Sequence, residues 1–289
     1  MHRLILHNDA IRDAGDKSTS AGQVGLMNGW GVFSTLRIAD GVPFAFERHW
    51  ARMHKDAQLM HVPFPDDPDA FRAKLLQLVE ANGAMNSTLR VAVVRNQGGP
   101  FEGPAMDRKY DIIAFTTDLT DWPASVALAI KAHARHAKSE FAGTKILSWS
   151  FNLTWNEQAR ERGFDEVVLL NERGEVSECT SANLFVIEGS HVWTPPISSG
   201  CLPGITRAIL LEDIKVPGVN IGEKTLMPAD LERADRIFIT SSTRDVLPVR
   251  EIETLHVRQE GERVLAALQE GFSTNRNSYV AKKLALSYT

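Results

Sequence analysis

Two short segments of this 289-residue chain hold residues that could bind an anion. In Leu202-Pro203-Gly204-Ile205-Thr206-Arg207, a Pro-Gly break precedes a helical stretch. Thr206 then offers a hydroxyl and the first helical amides point outward, which is how helix N-termini hold phosphate. The plain alternative is that Thr206 only caps a structural helix. Ser241-Ser242-Thr243 directly follows a strand and is either a second hydroxyl-bearing site or an ordinary loop. Commoner templates fail. There is no Walker-type phosphate loop, no Gly-x-Ser-x-Gly elbow and no His-Glu-x-x-His. Gly29-Trp30-Gly31 lacks the third glycine of a dinucleotide fingerprint and precedes a strand rather than a helix. His133 with His136 reads as a surface pair, and Cys179 with Cys201 makes neither a metal spacing nor a disulfide framework. From these residues alone the chain reads as a two-domain α/β protein that binds a phosphorylated ligand.

The elements that must position these groups follow from periodicity. Residues 31–38 read as a strand turning at Asp40-Gly41 and returning over 42–46, a hairpin by turn chemistry. Phe46, Trp50, Met53, Ala57 and Met60 then recur at helical spacing until Pro63 and Pro65. Asp67-Pro68 starts a second helix with Phe71, Leu75, Leu78 and Val79 on one face and Gly83 past its end. Strands are expected at 88–95 and 110–116, with a Gly/Pro loop over 97–103 between them. The polar, aperiodic stretch near 119–125 divides an N-terminal domain, 1–118, from a C-terminal domain, 126–289. The second half predicts strands near 125–132, 166–170, 175–179, 183–187, 191–194 and 236–240, helices over 149–162 and from Gly204 to about Asp213, and a helical C-terminal stretch. Strands mixed with helices in both halves suggest two α/β layers.

Composition removes whole classes. Hydrophobic residues make up 43% and charged residues 24%, near the globular average, so disorder and coiled coil fail. The net charge of −4 recruits neither nucleic acid nor an anionic membrane. No apolar run reaches the roughly 20 residues of a spanning helix, and the N-terminal residues lack a signal-peptide apolar region. A cytoplasmic protein without membrane or nucleic-acid partners is the expectation.

Read together, GWGVFSTLRIADG, HWARM, GTKILSW, GFDEVVLLNERGEVSECTSANLF, TPPISSGCLPGITR and TSSTRDVLPV resemble, in order and over nearly the whole chain, the class IV aminotransferases. These are fold type IV pyridoxal 5′-phosphate enzymes: branched-chain and D-amino acid aminotransferases, (R)-selective amine transaminases and 4-amino-4-deoxychorismate lyases. The resemblance implies a smaller N-terminal α/β domain and a larger C-terminal mixed-sheet domain. It also implies a homodimer with the active site near the interface.

By that resemblance Lys145 carries the cofactor as a Schiff base, which needs an amine that can be neutral. The freed amine can then move a proton. Glu178 pairs with the pyridine nitrogen and Arg52 grips the phosphate. Thr206, the amides of Ile205 and Thr206, and Ser242 complete the phosphate cup. Outside the motifs, Lys145 would read as a surface lysine, Glu178 as an edge carboxylate, and Arg52 as a helical arginine one turn beyond Arg48. The substrate pocket is expected to use Trp30, Phe33, Thr35, Arg37, Arg95, Gln97, Trp149, Thr243 and Arg244, with Arg37, Arg95 and Arg244 as carboxylate binders or scaffold arginines. The implied reaction moves an amino group from an amino acid, a branched-chain-like donor being favoured, to a 2-oxo acid such as 2-oxoglutarate. Ser34-Thr35 leans instead toward aminodeoxychorismate lyase, and D-amino acid or (R)-amine transamination are further alternatives.

Overall fold

The computed structural model describes residues 1–16, 20, 22–99, 102 and 107–287. These form two compact units. Unit 1 takes in the chain up to Thr120, then Thr144–Trp149, then the residues from Tyr279 onward; unit 2 takes in Asp121–Gly143 and Ser150–Ser278. Both units are thus discontinuous in sequence, where the sequence reading expects one cut near 119–125. The Gly/Pro loop expected at 97–103 lies partly outside the described residues.

Unit 1 holds strands β1 (Leu4–His7), β2 (Ala10–Asp13), β3 (Gly31–Ala39), β4 (Val42–Pro43), β5 (Ser87–Arg95) and β6 (Tyr110–Asp118), and helices α1 (Val24–Asn28), α2 (Phe46–Leu59) and α3 (Pro68–Ala81). The strands form one antiparallel sheet in the order β2-β1-β6-β5-β3-β4. Asp40 and Gly41 have φ of 49° and 79°, as the two central residues of a tight hairpin turn require. Asp67 caps α3 by accepting from the amides of Asp69 and Ala70 at 2.9 and 3.0 Å, with Pro68 inside the first turn. Val32, Leu36 and Ile38 of β3 and Leu89, Val91 and Val93 of β5 pack with Met53 and Ala57 of α2 and Phe71, Leu75 and Leu78 of α3. Alternation then turns Phe33, Thr35 and Arg37 to the opposite face of the sheet.

That alternation matters because of what lies along the other edge of β3. The segment Thr144–Trp149 pairs there: Val32 bridges Ile146, the Phe33 amide donates to the Lys145 carbonyl at 3.1 Å, and the Leu147 amide donates to the Gly31 carbonyl at 2.9 Å. A Cβ at Gly31 would come within 2.6 Å of both Leu147 Cδ1 and the Val93 carbonyl. A glycine is what lets the lysine-bearing segment approach this closely.

Unit 2 is built on an eight-stranded mixed sheet of β7 (Val126–Arg135), β8 (Glu166–Asn171), β9 (Val176–Cys179), β10 (Asn183–Glu188), β11 (His191–Thr194), β12 (Asn220–Glu223), β13 (Arg236–Ser241) and β14 (Asp245–Ile252). Its order is β12-β11-β10-β13-β14-β7-β8-β9, with β11–β12, β14–β7 and β7–β8 parallel. Helices α4 (Ser150–Glu161), α5 (Ile205–Glu212), α6 (Pro228–Arg233) and α7 (Glu262–Ser287) accompany it, and the last turns of α7 count with unit 1. Leu184, Val186, Ile237, Ile239, Leu247 and Val249 centre its core. No described helix is long and apolar enough to cross a membrane.

Candidate active-site residues

In unit 1, the helix behind β3 carries a buried polar stripe, His49, Arg52 and Asp56, at spacings of three and four. Arg52 Nη2 donates to Ser34 Oγ at 3.0 Å, and Ser34 Oγ lies 2.7 Å from His49 Nδ1. A guanidinium can only donate, so the serine oxygen accepts from Arg52 and its own proton is available to His49. Burial, together with the charges of Arg52 and Lys145, holds His49 well below its ordinary pKa, so the ring is neutral. Burial also draws Arg52 down to about 10, and the neighbouring Asp56 offsets only part of that penalty. The guanidinium therefore stays charged at neutral pH in a place that favours an incoming anion. Asp56 Oδ2 accepts the backbone amide of Lys145 at 3.1 Å, and burial raises the pKa of this carboxyl. One helix face thus fixes both the expected phosphate arginine and the backbone of the expected catalytic lysine.

The other face of β3 presents an aromatic frame. Lys145 Nζ lies 4.6 Å from the centre of the Phe33 ring and 5.9 Å from that of Trp149, and the two rings meet edge to face at 5.9 Å. Arg90 of β5, in register with Thr35, stacks its guanidinium 4.0 Å over Phe33 and 5.5 Å from Trp149. Burial lowers the Arg90 pKa. Among the described residues Arg90 has aromatic partners but no hydrogen-bond acceptor. The sequence reading missed Arg90, as it missed Ser34 as a partner of Arg52, His49 and Asp56. The signal for the helical pair was present, since His49 and Asp56 flank the apolar stripe of α2. Arg90 gave none, because cross-strand register is invisible in one strand read alone. Thr35 and Arg37 follow Phe33 on its face of β3. Arg95 is engaged elsewhere, donating to the carbonyls of Gln97 and His61 at 2.6 Å each and stacking 4.0 Å over Trp30. The Trp30 indole N–H is bound to the Met60 carbonyl at 2.8 Å.

In unit 2, Glu178 sits at the end of β9 with both oxygens held. Arg135 Nε donates to Oε1 at 2.9 Å, and the Leu202 amide donates to Oε2 at 2.9 Å. Asn152 Oδ1 accepts from both Arg135 Nη atoms at 3.2 Å, while its amide donates to the Thr180 carbonyl at 2.7 Å. An ion pair with this many fixed partners keeps the carboxylate in one place. The Leu202 amide belongs to the segment that leads into α5, so Glu178 and the start of that helix share one anchor. Gly204 is the N-cap of α5 and no side chain caps the helix. The amides of Ile205 and Thr206 open its first turn, and the Thr206 side chain is buried beside them. This donor set suits an anion. Ser242 and Thr243 occupy the turn between β13 and β14 and are half-buried. The Arg244 side chain turns inward, its Nη2 3.2 Å from the buried Glu166 carboxylate and its Nη1 3.1 Å from the Ser181 carbonyl. The expectation that it meets a substrate carboxylate conflicts with this ion pair. Removing a charge from a buried partner is costly, so Glu166 holds Arg244 where it is.

Comparison with known proteins follows the same lines. The family model described as amino-transferase class IV matches residues 31–252. The chain is 25% identical over 267 residues to a D-alanine aminotransferase from Bacillus licheniformis, covering 86% of this chain and 88% of that one. It is 25% identical over 247 residues to a branched-chain-amino-acid aminotransferase from Escherichia coli strain K12, covering 80% and 79%. Among solved structures, a hypothetical aminotransferase from Mycobacterium tuberculosis in its PLP-bound form superposes with a TM-score of 0.80 at 23% identity, over 93% of this chain and 98% of that one. Class IV aminotransferases are pyridoxal 5′-phosphate enzymes. With a family model spanning both units, from β3 through to β14, the chain belongs to the class IV aminotransferase family.

Proposed function

We propose that the protein moves an amino group from an amino acid, with a branched-chain-like donor favoured, to a 2-oxo acid such as 2-oxoglutarate, using pyridoxal 5′-phosphate in the cytoplasm. The observation that carries this reading is the pairing of Lys145 and Arg90 over one aromatic ring. An amine able to bond a carbonyl and a guanidinium able to grip a carboxylate then stand on the same frame. When bound, the cofactor supplies a conjugated ring into which electrons from a substrate carbon–hydrogen bond can be drawn. Lys145 Nζ carries the cofactor covalently and, once freed, takes and returns the proton. Glu178, held by Arg135 and the Leu202 amide, keeps a proton on the ring nitrogen. Arg52, the Ile205 and Thr206 amides, the Thr206 hydroxyl and Ser242 take the phosphate. Arg90 takes a substrate carboxylate, with Phe33, Thr35, Arg37, Trp149 and Thr243 lining the substrate side.

The lyase alternative draws on the hydroxyls at 34 and 35. Ser34 is committed to Arg52 and His49, which leaves Thr35 alone to support it. A homodimer fits the exposed Phe151, 73% accessible, which stacks on Trp155 on α4. Light scattering tests that assembly.

A half-reaction tests the chemistry. Given an amino donor and no acceptor, the enzyme should release one equivalent of 2-oxo acid per site and stop, and adding 2-oxoglutarate should restart turnover. Donors should span L-branched, L-acidic and D-amino acids and primary amines. Consumption of aminodeoxychorismate to pyruvate and p-aminobenzoate, with every amino donor inert, would replace the aminotransferase with the lyase.

A further inference from the structure

Arg244 and Glu166 form a buried ion pair wholly inside unit 2 whose partners lie on two functional turns. Arg244 follows Ser242 and Thr243 by two positions and one. Its backbone amide donates to Ser241 Oγ at 3.2 Å, so the turn closes on itself. Its side chain leaves that turn to reach the Ser181 carbonyl at 3.1 Å and Glu166 Oε2 at 3.2 Å, and stacks 4.1 Å over Trp122. Glu166 has no solvent exposure at all. It accepts from Thr180 Oγ1 and Ser181 Oγ, and from the Val167 amide at 3.0 Å. Thr180 and Ser181 make the turn that directly follows Glu178 and Cys179 on β9. The ion pair therefore joins the turn bearing Ser242 to the turn that ends the strand of Glu178.

We propose that the Glu166–Arg244 pair is a positioning brace that fixes the Ser242–Thr243 turn and so sets how tightly this chain holds the cofactor's phosphate. The proposal rests on the reading of Ser242 as a phosphate ligand given above. The geometry favours a brace over a substrate clamp. Both Arg244 Nη atoms are engaged within the unit, and turning the guanidinium toward a substrate would leave Glu166 buried and unpaired. A planar, stacked, hydrogen-bonded guanidinium is also the side chain best suited to holding two backbone turns in one register.

The test uses the full-length protein stripped of cofactor and three probes: pyridoxal phosphate, inorganic phosphate in competition with it, and pyridoxal without its phosphate. The variant is the double substitution Glu166→Gln with Arg244→Gln, which removes both charges and leaves neither buried alone. Its affinities for pyridoxal phosphate and for inorganic phosphate should fall together, by about fivefold or more, the scale of one misplaced hydrogen bond. Its affinity for pyridoxal should stay at the wild-type value. Arg244→Lys keeps the charge but loses the fork, so it should weaken the two phosphate probes in the same direction by less. It also provides the answer if the double variant does not fold. Unchanged phosphate affinities would overturn the brace, as would an equal loss for pyridoxal, which would mark a general loss of structure. A rise in KM confined to substrates with a carboxylate, with phosphate affinity intact, would restore Arg244 as a substrate clamp. Failure of the wild-type protein to bind pyridoxal phosphate would instead refute the cofactor reading itself.

Discussion

Replacing His49 with asparagine should remove a pH dependence of stability that the wild-type protein carries below pH 6.5. The ring is 2% exposed, bound to Ser34 Oγ at 2.7 Å, and flanked by the cations of Arg52 and Lys145. Burial and those charges hold its folded pKa well below 6.5, the value it regains on unfolding. The unfolded chain therefore binds a proton that the folded chain refuses. With more protons on the unfolded side, stability rises with pH up to about 6.5 and is lost as pH falls below it. The limiting slope is about 1.4 kcal/mol per pH unit. Integrated from about pH 7 to about pH 5.5 for an unfolded pKa near 6.5, the loss is about 1.3 kcal/mol. Asparagine can present its amide oxygen where Nδ1 stood and does not titrate. Asp56, whose raised pKa works in the opposite sense, is present in both proteins and cancels in the difference. Urea unfolding of both cofactor-free proteins at the two pH values measures it. The wild-type stability should drop relative to the variant by about 1.3 kcal/mol. A difference that stays constant to within about 0.3 kcal/mol, or a wild type that gains on the variant as pH falls, would refute the account of His49 as a buried neutral base.

Borohydride reduction of the loaded enzyme should fix the cofactor on the peptide containing Lys145, and Lys145→Ala should lower turnover by roughly four decades, a label elsewhere sinking the assignment. Glu178→Gln keeps the shape of the side chain but removes its charge. It should slow substrate proton removal at least about tenfold more than it weakens cofactor retention, and equal half-reaction rates in stopped flow would end that role. Arg90→Met should raise KM for carboxylate donors about tenfold or more while leaving a primary amine donor near its wild-type value, since a lost charged hydrogen bond is of that order. Equal changes for both substrate types would make Arg90 part of the scaffold.

The helix period of α2, the capped start of α3 and the Asp40-Gly41 hairpin were all legible because local chemistry alone dictates them. The strands β1, β2 and β12 and the short helices α1 and α6 were not. Each is four to six residues long, too short to establish a period, and the strands exist because their neighbours pair with them. The eight-residue β14 was missed as well: after the strand at 236–240 only a loop was expected, whereas Ser241 pairs with Asp245 and leaves a three-residue turn between two strands. The path of the chain was equally hidden. Nothing in Thr144–Trp149 announces that this segment pairs with β3, 112 residues earlier at the Phe33–Lys145 contact (145 − 33). Among candidate site residues, the motifs carried Lys145, Glu178, Arg52 and Thr206. They could not reveal that Arg95 and Arg244 are already engaged, because an arginine's partners are set by the fold and not by its neighbours in sequence.

The last turns of α7 bear on how the protein is made. Tyr279 donates its hydroxyl to Glu47 at 2.6 Å and packs edge to face on Phe44, and Lys283 pairs with the same glutamate. These contacts belong to unit 1, whose other parts all lie earlier in the chain and so leave the ribosome before them. The sheet and helices encoded by the first 120 residues can collapse early, during synthesis. The edge of β3 then waits for Lys145, and Glu47 waits for residues more than two hundred positions later. Completion of the unit that anchors the expected catalytic lysine is therefore deferred until residues 279–283 have been made. A chain that stops short of Thr144 has no means of assembling that part of its chemistry.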